Sequence, residues 1–108
     1  MVIRRGYFRF FHASLTFQPH FSMQPKMTVT NHSTERRPLW TEPEGADYWM
    51  LPKQTFTIMA ENDDPDGVFE ICDDGTGILV FGSYVMGYLS VFHSGQLLEC
   101  GHQRPPEQ

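Results

Sequence analysis

The stretch Asn62-Asp63-Asp64-Pro65-Asp66-Gly67 sets oxygen-bearing side chains at alternate positions, with a glycine sixth and Asp73 twelfth. That is the spacing of a calcium loop, which needs oxygens at alternating early positions, a glycine for the sharp turn and a closing carboxylate. Here Asn62 takes the place of the usual first Asp and Asp73 that of the bidentate Glu. Both flanks read as strands rather than helices. Two readings stay open: Asn62, Asp64, Asp66 and Asp73 as ligands of Ca2+ or another metal ion, or a solvated loop whose Asp, Pro and Gly supply turn geometry. The second is favoured.

Other reactive side chains are scattered. His32, His93 and His102 show neither His-x-His nor His-x-x-x-His spacing, so the paired histidines of a typical metal centre are missing from the sequence pattern. His93 beside Ser94-Gly95 reads as a turn residue. Cys72 and Cys100 fall at strand ends; without a recognisable secretory signal they read as reduced, partly buried thiols of a cytoplasmic protein. His102, two positions from Cys100, is the one neighbour that could lower a thiol pKa.

Trp40, Glu42, Tyr48 and Trp49 surround a Pro43-Glu44-Gly45 turn. Rigid rings beside one carboxylate are the material of a contact surface, because they offer area at low entropic cost. The competing reading makes them core and turn anchors. A Tyr84, Met86, Tyr88, Phe92 stripe would form a second such face if Tyr84 to Phe92 were one long strand, and an uncovered apolar face there would imply a homodimer.

These residues need a scaffold, and the turn signals describe one. Asp73-Asp74-Gly75, Gly82-Ser83 and Ser94-Gly95 punctuate an apolar, aromatic half from Val68 to Cys100, which reads as an antiparallel meander. Thr55 to Ala60 places Phe56 and Ile58 on one face and Thr55 and Thr57 on the other. Val68 to Cys72 alternates likewise, with Phe69 and Ile71 inward and Glu70 outward. Gly77 to Phe81 is apolar throughout and reads as a central strand covered on both faces. Glycine is costly inside a strand, so Gly87 favours a loop followed by a short strand, Tyr88 to Phe92. Strands are also expected at Met27 to Asn31, Pro38 to Thr41, Asp47 to Leu51 and Gln96 to Cys100. The fold class expected is all-β: a small antiparallel sandwich or barrel of six to eight short strands.

With 108 residues, the chain is expected to form a single domain over 27–102, followed by a polar tail at 103–108. Residues 1–26 carry four basic groups and no acid, whereas 27–108 carry four basic groups and all thirteen acids, so the two parts have charges of +4 and −9. An acidic body repels phosphates, which argues against nucleic acid as a partner. No apolar stretch approaches the ~20 residues that span a bilayer. The basic, aromatic arm 1–26 is expected to be poorly ordered. It reads as an over-extended start upstream of Met27, as a targeting segment, or as an extra strand or helix, the first favoured.

Asn31, the segment Leu39-x-x-Glu42-Pro43-x-Gly45-x-x-Tyr48-x-x-Leu51-Pro52 and the later Val91-Phe92-x-x-Gly95 resemble a pattern in a family of small, uncharacterised bacterial all-β proteins. The resemblance covers about residues 27–99. It departs at Glu44, where the family pattern has an aromatic, and in the unmatched arm. It implies an all-β single domain of bacterial type and brings no activity, cofactor or partner. No nucleophile with a base, phosphate loop or metal cluster stands out, so the expectation leans to a non-enzymatic protein-binding or assembly module using an aromatic surface. The alternative is a Ca2+- or other metal-binding β protein using residues 62–73.

Overall fold

Period-two burial runs through most of the chain after Lys26 and decides which face of each ribbon meets the interior. The computed structural model describes residues 2–5 and 26–107. Nine strands lie within them: β1 Val2–Arg5, β2 Lys26–Thr30, β3 Arg37–Glu42, β4 Ala46–Met50, β5 Thr55–Ala60, β6 Phe69–Asp73, β7 Ile78–Gly82, β8 Leu89–His93 and β9 Gln96–Leu97. They form a five-stranded sheet, β1-β6-β7-β3-β4, and a four-stranded sheet, β2-β5-β8-β9. No strand of one pairs with a strand of the other, so the fold is not a closed barrel.

The two sheets share one core. Leu39, Met50, Phe69 and Val80 from the first and Phe56, Ile58 and Val91 from the second are wholly buried in a single cluster. At ~25 cal/mol per Å2 of apolar area removed from water, these side chains supply most of the driving force. Met86, from a 3₁₀ turn at Tyr84–Met86, is buried in the same cluster. Among the described residues no helix is long and apolar enough to cross a membrane.

Alternation in β5 and β6 follows expectation: Phe56, Ile58 and Phe69 are fully buried, while Thr55 is exposed. The β6–β7 hairpin is made by its turn residues. The Asp74 carboxylate accepts from the Thr76 N–H (2.9 Å), the Gly77 N–H (3.1 Å) and the Thr76 hydroxyl (2.7 Å), the local capture for which Asp is favoured in turns. At the β8–β9 hairpin Ser94 and Gly95 both have positive φ, 51° and 81°. That matches the twist of a two-residue loop, in which glycine carries no steric penalty.

Three expectations need correction. The half from Val68 to Cys100 is not a continuous meander: β7 and β8 lie in different sheets, and the Gly82-Ser83 segment begins a crossover instead of a hairpin. The first sheet is not purely antiparallel, because β3 and β7 run parallel, with Leu39 opposite Ile78 and Glu42 opposite Phe81. Strand β7 is central in its sheet but faces solvent on one side, where Phe81 is 39% exposed. All three have one cause. A turn signal marks where a strand ends, not which sheet the next one joins.

Val2–Arg5 forms an edge strand antiparallel to β6, which is the extra-strand reading of the arm for those four residues. Residues 6–25, expected to be poorly ordered, lie outside the described residues. Strand β9 has only two residues, shorter than expected, and the chain then turns back toward β4.

Asn31 joins the two sheets. It follows β2 of the second sheet, is fully buried, and its amide donates to the carbonyls of Met50 in β4 (2.9 Å) and Glu35 (2.8 Å). Its carbonyl oxygen accepts from the Ser33 N–H (3.0 Å) and hydroxyl (2.8 Å). Asn31→Asp keeps the shape but turns two donors into an acceptor facing two carbonyls. It should cost about 3 kcal/mol, at 1–3 kcal/mol per buried unsatisfied group, read as a loss of roughly 15 °C in Tm.

Candidate binding surface

Parity along the β3–β4 hairpin divides the aromatic set found in the sequence. Opposed pairs are Leu39 with Tyr48, Trp40 with Asp47 and Pro38 with Trp49. Leu39, Thr41, Tyr48 and Met50 point into the core, and Pro38, Trp40, Glu42, Asp47 and Trp49 share the outer face. Tyr48 is 7% exposed and belongs to the core cluster. Burial, first, and then nearby negative charge push its phenol pKa upward. Tyr48 is therefore a core anchor, while Trp40, Trp49 and Glu42 stay half-buried on the outside.

The two tryptophans are committed to structure. Trp40 covers Gly77 so closely that a Cβ there would lie 2.5 Å from its ring and 2.8 Å from the Pro38 ring. Only glycine allows that approach. The Trp49 indole N–H donates to Asp47 Oδ2 (2.9 Å), and the same carboxylate receives Arg104 through Nε (2.8 Å) and Nη2 (2.6 Å) and the Cys100 thiol (3.3 Å). The Arg104 guanidinium, with smaller help from Trp49 and Cys100, holds the Asp47 carboxyl far below the usual carboxylate range against the opposing effect of burial.

Around that carboxylate the segment after β9 lies along β4. Gly101 N–H donates to the Asp47 carbonyl (2.6 Å), Trp49 N–H to the His102 carbonyl (2.8 Å), and the Gln103 amide to the Trp49 carbonyl (2.7 Å). Gln103 and Arg104, expected in a polar tail, are thus tied to the body. The same turn brings two histidines to one ring: His93 and His102 have centroids 5.5 and 5.9 Å from that of Phe56. Sequence spacing concealed this, because one histidine comes from β8 and the other from the returning segment.

The residues of the acidic loop do other work. The Asn62 amide donates to the Val85 carbonyl (3.1 Å) and its backbone N–H to Met86 (2.9 Å), tying the loop to the crossover. Asp64 accepts from the Asp66 N–H (2.8 Å) and closes a turn. Asp73 lies at the far end of β6, about 15 Å of extended strand away, paired with Arg37 at 2.7 Å. Arg37 first and the Gly75 N–H second lower its pKa. Among the described residues no three His, Cys, Asp or Glu side chains are placed to hold a metal ion.

The large rings that face solvent lie elsewhere. Tyr84 is 91% exposed, Tyr88 71% and Phe81 39%, all on or beside the crossover from β7 to β8. Glu42, Pro43, Phe81, Gly82 and Tyr84 line an open groove of about 420 Å3. A second, of about 260 Å3, lies on the other sheet beneath Tyr88 and Phe92 beside Glu61, whose carboxylate accepts from the Tyr88 N–H (3.2 Å). A polar depression of about 450 Å3 adjoins Arg36, Arg37 and Asp73. Of the sequence candidates, Glu42 from the first set and Tyr84 from the second stripe line the apolar groove. Phe81 and Pro43 were missed, although Phe81 could have been found from its parity with Leu79 on a one-sided strand.

Comparison with protein-family models, with curated proteins and with solved structures returns no match. The geometry supplies surfaces for contact and a set of carboxylates already occupied by internal donors.

Two measurements check this assignment. Ca2+ or EDTA at millimolar concentration should leave Tm unchanged within about 1 °C, since a ligand bound well above its Kd would raise it; a clear upward shift with Ca2+ would restore the metal loop. Asp47→Asn should lower Tm by several degrees at neutral pH and speed amide exchange at Trp49 and Gly101. A carboxylate held below its unfolded pKa stabilises fully above about pH 4 and loses that contribution as pH falls further. The stability curves of the parent and Asp47→Asn should therefore converge below that pH.

Proposed function

We propose that the protein is a non-enzymatic protein-binding module whose working surface is the aromatic rim of Phe81, Tyr84 and Tyr88 with Glu42 at its side. Trp40, Tyr48 and Trp49, the other rings considered for this role, serve the fold. The reading rests on one observation: a tyrosine 91% exposed on an inter-sheet crossover that buries its neighbour Met86 completely. The side chain is presented from an anchored backbone, so a partner gains a large amphipathic ring at little entropic cost. Grooves on either side give a partner concave surface beside the projecting rings. The module works in the cytoplasm, where the free thiols Cys72 and Cys100 stay reduced.

Photo-crosslinking in the source cell tests the surface. A benzophenone amino acid placed at Tyr84 or Tyr88 should give a discrete protein adduct that the same group at Leu51, an exposed apolar position off the rim, does not. The adduct should disappear with Phe81→Ser. No adduct at either tyrosine, or equal adducts at all three positions, would overturn the assignment; an adduct of twice the chain mass would identify the partner as a second copy.

A further inference from the structure

We infer that the groove beside Tyr84 takes an extended, proline-containing basic segment of a partner protein, with the partner's cation held by Glu42. This rests on the binding-module reading and specifies its ligand. Three of the five lining residues are rings, Pro43, Phe81 and Tyr84. Glu42 has no hydrogen-bond or ion-pair partner among the described residues, in contrast to Asp47, Asp73 and Glu44, whose carboxylates are each taken by an internal donor. An unpaired carboxylate at the edge of an apolar groove is a counterion site. No basic residue lines the groove, and the described residues carry thirteen acids against seven bases, a charge of −6, so a cationic ligand is drawn in and an anionic one repelled.

The sheet topology selects the form of the ligand. Glu42 and Phe81 sit opposite one another on β3 and β7, and both strands are interior to their sheet, β3 between β7 and β4, β7 between β6 and β3. Phe81 is paired with Glu70 on one side and with Glu42 on the other, and Glu42 ends β3 at the turn into β4, so no length of free strand edge lies there for a peptide to extend the sheet. Recognition has to run through side chains. Two aromatic rings and a proline offer too few anchors for the face of an amphipathic helix, but they suit the polyproline II mode. There, pyrrolidine rings stack on aromatic faces and the ligand is already extended, so little entropy is lost. Single-stranded nucleic acid would also stack on rings, yet it requires a positive groove. This one is negative.

Titration of the 15N-labelled full chain with a nine-residue Arg-Pro-Pro repeat tests the inference. Shifts should concentrate at Glu42, Phe81, Gly82 and Tyr84. A Glu-Pro-Pro repeat and an Arg-Gly-Gly repeat should each bind at least tenfold more weakly, the first for want of charge and the second for want of rings. Glu42→Gln should weaken the Arg-Pro-Pro peptide about fivefold and flatten its salt dependence. Tyr84→Ala, a change at an exposed position that leaves the fold intact, should remove measurable binding. Equal binding of the Arg-Pro-Pro and Glu-Pro-Pro repeats, equal binding of Arg-Gly-Gly, shifts away from the groove, or no binding at millimolar peptide would each overturn it. If the peptides fail while crosslinks at Tyr84 and Tyr88 persist, the ligand class is wrong and the module stands. If both fail, the module reading falls as well.

Discussion

The two sheets have no strand in common, so their relative placement depends on the core between them and on a few polar ties across it. Asn31 is the tie with the strictest demands. Apolar side chains pack together non-directionally and tolerate a small slide of one sheet over the other. A buried amide does not, because its two donors must meet the Met50 and Glu35 carbonyls while its oxygen meets Ser33. Its backbone is equally engaged, the N–H donating to the Gln54 carbonyl and the carbonyl accepting from Lys53. Glu44 makes a second tie from the β3–β4 turn, accepting the Leu89 N–H at the start of β8 (2.8 Å). With one tie on each side of the β3–β4 hairpin, sheet register is fixed by polar geometry and filled in by the core.

That frame explains why so much aromatic and acidic side chain is spent within the fold. Strand β4 closes one side of the five-stranded sheet, and an uncovered edge invites pairing with another chain. The segment from Gly101 to Arg104 lies along it, with His102 beside Tyr48 in a parallel bridge. Asp47 holds this cover in place by receiving an arginine, an indole and a thiol at once. Charge-assisted bonds of this kind are stronger than neutral ones, and concentrating them on one carboxylate fastens a segment with little apolar area of its own.

Local chemistry was legible in the sequence, and long-range pairing was not. Phe56, Ile58 and Phe69 revealed their facing because a strand half-buried in a core must alternate, and Asp74 and Ser94-Gly95 revealed hairpins because few residues fit those turns. The facing of Tyr48 against Trp49 was open to the same argument only once the strand ends were known, since a one-residue shift inverts every side chain. The parallel β3–β7 pair left no mark, because it joins segments separated by three other strands. The oxygens of Asn62 to Asp73 match a calcium loop as a string of letters, but β6 begins at Phe69 and carries Asp73 away in extended form. Spacing along a chain becomes spacing in space only when the local conformation is known.

The crossover from β7 to β8 shows where the fold stops dictating residue type. Joining two sheets in a few residues requires a tight turn and one apolar group directed inward, and Met86 meets that need. A 3₁₀ turn has three residues per turn, and with Met86 inside and Val85 packed partly against the core, Tyr84 is the position left facing out. Tyr84 is therefore exposed by geometry, and Phe81 by its parity on β7, but nothing in the packing asks either to be aromatic. Single exposed rings are ordinary on protein surfaces. Two that line the same groove, next to a carboxylate without a partner among the described residues in a body of net negative charge, form a combination that core packing leaves unexplained and that the proposed cationic partner would account for.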